Sequence, residues 1–301
     1  MAKPILFSKR IFAALALWVC SLTVVAAAQV HKQVEIYGQK IHYVEAGSGP
    51  AVILLHGLGG DATNWAMTVP VLASKYHVYV PDQIGFGQSD KPLMNYRVAT
   101  LVEFLAQFYK KLNIEKATLV GNSLGGWTAA SFAIAHPEKV DKLVLVDAAG
   151  YTAKRWGGAE LTKELYAVLN PATTADLKRA MSLVFYNKAL ITDAFIETAF
   201  ANKLKKGDSP TINAFIDSVL RGEDFIDDKV KTIKTPTLVV WGREDGLTPL
   251  AIGEAFAQDI VGAQKLVIEK CGHVPQLEKA AEFNTGLLKF LESGSTEQTK
   301  Q

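Results

Sequence analysis

Six short runs, at 51–55, 77–80, 117–120, 142–146, 237–241 and 265–268, are apolar almost without interruption. A strand with one wet face alternates, so runs that are apolar on both faces must be covered on both, as in a parallel sheet packed between helices. Stretches with helical spacing separate them, at 99–112, 124–136, 251–261 and 281–291. Strand and helix in alternation predict an α/β chain with one doubly wound, mostly parallel sheet. Residues 34–37 and 41–45 alternate around Gly38, which predicts an antiparallel pair at the sheet edge. The rhythm breaks at 151–231, where helical spacing continues without a strong strand, so a helical cap is expected there as an insertion after the strand ending at Val146. The core is thus expected at 29–150 and 232–292, and the small, polar residues 293–301 as a disordered tail. With 301 residues, 49% of them apolar, one such sheet can bury a large core.

The first 28 residues read differently. Lys3, Lys9 and Arg10 precede a long apolar stretch that ends in Ala26, Ala27 and Ala28, the pattern of a cleaved secretory signal. Export to the periplasm or the outside is the expectation, with an uncleaved membrane anchor as the alternative, the one arrangement that would give membrane contact. Cleavage removes three of the 32 basic residues and none of the 30 acidic ones, leaving 29 against 30. A chain so near neutrality has no basic field for nucleic acid. Cys20 leaves with the signal, so Cys271 stands alone and is read as a packed small hydrophobe.

Gly121-Asn122-Ser123-Leu124-Gly125 ends one apolar run and opens a helix. A serine on so sharp a turn projects above the sheet, and flanking glycines let strand and helix approach. Ser123 is therefore the candidate nucleophile. Its hydroxyl needs a base. Of six histidines, His31, His42, His77 and His136 read as surface or structural, and His56 comes too early in the chain. His273, after the last strand and beside Gly272, is the candidate base. Asp245, after the strand ending at Trp241, is the first choice to hold the imidazole; Asp147, one strand earlier, is its rival, and Glu244 a third. The amide of Leu124, at a helix start, and that of Leu58, in His56-Gly57-Leu58-Gly59-Gly60, are the candidate oxyanion hole, with Gly59 as an alternative to Leu58. His56 is expected to brace that loop. The glycine-rich loop 82–89 carries no assigned chemistry. No cluster of ligating residues implies a metal, and no organic cofactor is expected.

The H-G-x-G-G loop, the D-x-x-G-x-G-x-S loop, G-N-S-L-G-G, G-R-E-D and C-G-H follow one another in an order that resembles the α/β-hydrolase superfamily over 34–291. The resemblance implies that fold, a variable cap and a serine hydrolase, since relatives that use Asp at the elbow, the haloalkane dehalogenases and epoxide hydrolases, differ at Ser123. The expectation is an exported hydrolase of carboxylic esters. Ser123 would attack a small-molecule acyl ester, with Trp156, Phe185, Tyr186, Phe195 and Phe215 available to line an apolar pocket, and water would release the acyl group. Two alternatives stand beside it. The elbow, 242–245 and 271–273 are also similar to meta-cleavage-product hydrolases, which split carbon–carbon bonds. Against that reading, Val274 stands where those enzymes place Trp, residues 190–192 lack their following Arg, with Ala199 near its place, and an export signal suits a cytoplasmic catabolic step poorly. A receptor-like, ligand-binding member with little turnover is the other alternative.

Overall fold

A computed structural model describes residues 28–156 and 168–293. The expected leader, apart from Ala28, lies outside the described residues, as do positions 157–167 of the insertion and the tail from 294. Among the described residues no helix is long and apolar enough to cross a membrane.

Eight strands form one sheet: β1 (Val30–Ile36), β2 (Gln39–Ala46), β3 (Ala51–Leu55), β4 (His77–Pro81), β5 (Ala117–Asn122), β6 (Val140–Val146), β7 (Thr237–Gly242) and β8 (Gln264–Ile268). Their order is β1-β2-β4-β3-β5-β6-β7-β8, with β1 and β2 antiparallel to their neighbours and the rest parallel. The doubly wound, mostly parallel sheet read from the apolar runs is present. β1 starts four residues before the expected 34; those four residues are all exposed, so they carry no apolar period to read.

The two-residue period sorts the central strands into two cores. Ile53, Leu55, Leu119, Leu145 and Val239 face helices α1 (Val98–Lys111) and α2 (Leu124–Ala135). Val52, Leu54, Val120, Val144 and Val240 face the other way, onto Trp65, Phe283 and Leu287. Each large side chain so buried contributes about 1.5–3 kcal/mol. The start of α2 approaches the sheet closely because glycine stands there: a Cβ at Gly125 would stand 2.2 Å from the Leu55 carbonyl oxygen.

Between β6 and β7 the described residues hold helices α3 (Thr174–Val184), α4 (Asp193–Lys206) and α5 (Ser209–Leu220). Thr173 and Asp176 form a reciprocal capping box that starts α3, and Thr192 caps α4. α4 ends where Gly207 takes a left-handed conformation, after Lys203, Lys205 and Lys206 in its last turn. α6 (Leu250–Asp259) and α7 (Ala280–Glu292) complete the layers. Register aligns the parallel strands: Leu55 pairs with Gly121, Asn122 with Val146, Val146 with Val240 and Gly242 with Ile268. The loops that leave their carboxyl ends therefore meet along one edge, where open α/β sheets place their sites.

Candidate active site

Ser123 follows β5 at φ 56° and ψ −118°, a conformation that L residues rarely hold. It persists because the backbone is fixed on both sides: the Ser123 amide donates to the Val146 carbonyl at 2.9 Å, and its own carbonyl accepts from Trp127 and Ala149. The elbow glycines are needed for space. A Cβ at Gly121 would lie 2.2 Å from the Gly125 carbonyl oxygen. Ser123 remains partly exposed while its neighbours are buried.

His273 and Asp245 are both buried and joined by a 2.7 Å bond between Nδ1 and Oδ2. The Asp245 carboxylate accepts from three further donors: the amides of Leu247 at 2.8 Å and Thr248 at 3.1 Å, and the Thr248 hydroxyl at 2.6 Å. Burial pushes the Asp245 carboxyl up, but the His273 charge, the bond to it and these donors outweigh burial and hold the group below the ordinary carboxylate range. The rival Asp147 does not touch His273 by a hydrogen bond; its Oδ1 accepts from the Gly242 amide at 2.9 Å. Glu244 accepts from the Cys271 amide instead. No hydrogen bond joins Ser123 Oγ to His273 here; such bonds often tighten only when substrate binds.

The Leu58 and Leu124 amides donate to no acceptor among the described residues. Gly57 lies so near the nucleophile that a Cβ there would be 3.1 Å from Ser123 Cβ, which brings the loop of Leu58 beside the elbow. His56 braces this loop as expected. Its Nε2 accepts from the Gln83 amide, so Nδ1 carries the proton and donates to the Gly57 carbonyl at 2.8 Å, and burial disfavours its charged form. Asp82 is the second brace, accepting from the amides of Ala62 and Gln88. Cys271 is fully buried, and burial above all drives its thiol far above its ordinary range. The Trp156 side chain lies outside the description. Phe215 is core, packed on Phe86 and Tyr96, while Phe185 and Phe195 meet edge to face and Tyr186 is exposed.

Three supporting side chains were not read from the sequence. Asn122 donates to the carbonyls of both Val146 (3.1 Å) and His273 (3.0 Å), tying the nucleophile strand to the histidine loop. Thr248 Oγ1 lies 3.1 Å from His273 Nδ1 as well as against Asp245. Glu278 accepts from the amides of Gly272, Tyr186 and Asn187, joining the histidine loop to the end of α3. Only the spacing of Thr248, three residues beyond an Asp in a tight turn, offered a local signal.

Residues 50–280 match the family described as alpha/beta hydrolase fold. The chain belongs to that family. As an α/β hydrolase it is 32% identical over 277 residues to the 2-hydroxy-6-oxo-6-(2'-aminophenyl)hexa-2,4-dienoic acid hydrolase of Metapseudomonas resinovorans, covering 88% of this chain and 92% of that one. The meta-cleavage product hydrolase of Pseudomonas fluorescens IP01 superposes with a TM-score of 0.79 at 30% identity, over 86% of this chain and 97% of that one. A membrane phospholipase A described as a bacterial virulence factor superposes with a TM-score of 0.76 at 28% identity, over 87% and 86%. The expectation of an exported carboxylic-ester hydrolase is corrected by the sequence relatives, which are named as hydrolases of oxo-dienoates. The departures that spoke against this class are local. Ala199 packs on the small cluster of Leu177, Ile191 and Ile196, and Val274 is buried next to His273 in the chain; neither side chain takes part in the bond between Asp245 and His273.

Proposed function

We propose that this α/β hydrolase cleaves a carbon–carbon bond in a 2-hydroxy-6-oxo-dienoate, by water and through Ser123, His273 and Asp245. The observation that carries the reading is the identity of 30% or more, over most of both chains, to relatives named for such substrates. The site's chemistry suits it. Ester and ketone both offer a carbonyl carbon to Ser123, and in both His273 takes the hydroxyl proton while the Leu58 and Leu124 amides receive the oxyanion. The two differ in the leaving group. The dienol must first shift its 2-hydroxyl proton to C5, giving an enone; when the C5–C6 bond then breaks, the electron pair passes into that enone as a dienolate, which must collect a proton. His273, charged by its first step and held by Asp245, has that proton to give. Water, deprotonated by the same imidazole, then releases the carboxylic acid.

The test is incubation with 2-hydroxy-6-oxo-6-phenylhexa-2,4-dienoate, following loss of the conjugated-dienol absorbance and release of benzoate, with Ser123→Ala alongside and a p-nitrophenyl ester as control. Turnover of the dienoate that Ser123→Ala abolishes is the expected outcome. A folded enzyme that leaves the dienoate intact would sink the proposal.

A further inference from the structure

Asp147, one residue beyond β6, is fully buried and is given no part in the mechanism above. Its backbone sits at φ 44°, strained for a residue with a side chain, yet its amide donates to the Val240 carbonyl at 3.0 Å and its carbonyl lies 3.1 Å from the Thr248 hydroxyl. The side chain is thereby aimed at the triad: Asp147, Asp245 and His273 each bring one polar atom within 4.8 Å of the others. Oδ1 receives the Gly242 amide at 2.9 Å. Oδ2 is buried and, among the described residues, receives no hydrogen bond.

That imbalance has a chemical resolution. Were Asp147 ionised, a buried carboxylate oxygen would have no donor, and two carboxylates would face a single imidazolium in a buried site. Were it protonated on Oδ2, the oxygen becomes a donor, and the neighbouring carboxylate of Asp245 is a charged acceptor. The surroundings favour the second state. Burial first, and the Asp245 charge next, push the Asp147 carboxyl well up, while Asp245, with four donors on it, stays ionised. The other titratable groups facing the pair are His273 and the neutral thiol of Cys271; Glu278 is occupied by three backbone amides and Lys279 lies beyond Cys271.

We propose that Asp147 is a positioning residue which stays a neutral carboxylic acid and donates its proton to the Asp245 carboxylate, so that two carboxyl groups share one negative charge behind His273. The added donor holds Asp245 in place and lowers its basicity. The Nδ1 proton therefore stays on His273 through the reaction instead of passing to the carboxylate.

The inference rests on the triad reading but not on the carbon–carbon substrate, so its test uses the rate at which a phosphonate probe labels Ser123 as a function of pH, together with infrared spectra of the intact chain. Wild type is expected to show a protonated-carboxyl band at neutral pH that Asp147→Asn lacks. Asn keeps the neutral donor, so labelling by that variant should stay within about threefold of wild type, with the acidic limb of its profile unmoved. Asp147→Ala, which loses a hydrogen bond to a charged group, should be slower by about tenfold or more while folding cooperatively. The proposal is overturned if wild type lacks the band, or if it is not labelled at all. It is equally overturned if Asp147→Asn moves the acidic limb down by about one pH unit, as loss of an ionised neighbour would. A chain that labels normally but leaves the dienoate untouched would refute the substrate reading alone.

Discussion

Replacing Asp61 by Asn should remove a charge that pins the oxyanion loop to the inserted helices. Lys206, in the last turn of α4, reaches across to Asp61 Oδ2 at 2.6 Å and also donates to the Gly59 carbonyl at 3.2 Å. Asp61 itself caps the short helical turn at Ala62–Trp65, accepting from the Thr63 amide. Asn caps nearly as well as Asp, so the substitution isolates the charge. Burial raises the Asp61 carboxyl, but the Lys206 charge and its bond, followed by Thr63, bring it down from 3.8 to about 2. At about 1.4 kcal/mol per unit of pKa, the ionised Asp61 carboxylate, in balance with its surroundings, contributes about 2 kcal/mol at neutral pH. Because the folded carboxyl is the stronger acid, the unfolded chain binds the extra proton on acidification. The contribution is therefore complete above the unfolded value and is lost as pH falls through the folded one. Urea unfolding of Asp61→Asn against wild type should show a gap of about 2 kcal/mol at neutral pH, roughly half that near pH 3, and almost none near pH 2. A gap of equal size at neutral pH and pH 3 would refute the reasoning, since the loss would then come from packing or capping.

Three further outcomes follow from the site. Thr248→Val removes a hydroxyl bonded to an ionised carboxylate, worth about 1.5–3 kcal/mol, so Ser123 labelling or turnover should slow by about tenfold or more; a change under about twofold would count against a role for Thr248 in holding Asp245. Asn122→Ala strips the His273 carbonyl of its donor and should cost about 1–3 kcal/mol in urea unfolding, with a larger relative loss in activity; unchanged stability and activity would argue against the tie. Cys271, fully buried and with its thiolate suppressed, should resist iodoacetamide in the native chain and react after denaturation, and rapid native labelling would contradict its placement.

Several residues that the sequence reading singled out share one property: they closely follow an apolar run, next to a glycine or a helix start, so strand position and local chemistry coincide. Ser123, Leu124 and Leu58 are legible for that reason, and Asp245 and His273 follow from chain order. Asn122 and Thr248 are not legible, because a lone amide or hydroxyl acquires meaning only from its partners. Those of Asn122 are carbonyls 24 and 151 positions away. The start of β1 was missed for a different reason, since an exposed edge strand has no apolar face to print a period. The ester expectation failed at the leaving group. An activated serine reports attack on a carbonyl, and nothing in a triad distinguishes an oxygen from a conjugated carbon on its far side.

The insertion explains how that distinction can change while the machinery stays fixed. At the end of α3, the carbonyl of Val184 accepts from the His273 amide at 2.7 Å and that of Leu183 from the Gly246 amide at 3.2 Å, so the loops carrying His273 and Asp245 are both held by one turn of helix. A Cβ at Gly272 would meet the Val184 oxygen at 2.1 Å, which makes this approach depend on glycine. At the end of α4, Lys206 holds the oxyanion loop from the other side. From the insertion, then, the triad loops are held by backbone carbonyls and the oxyanion loop by the Lys206 side chain, neither of which involves the side chains at Ala199 or Val274. Substitution at such positions can reshape what the site accepts without moving Ser123, His273 or Asp245, so side chains there can differ while the triad's supports stay the same.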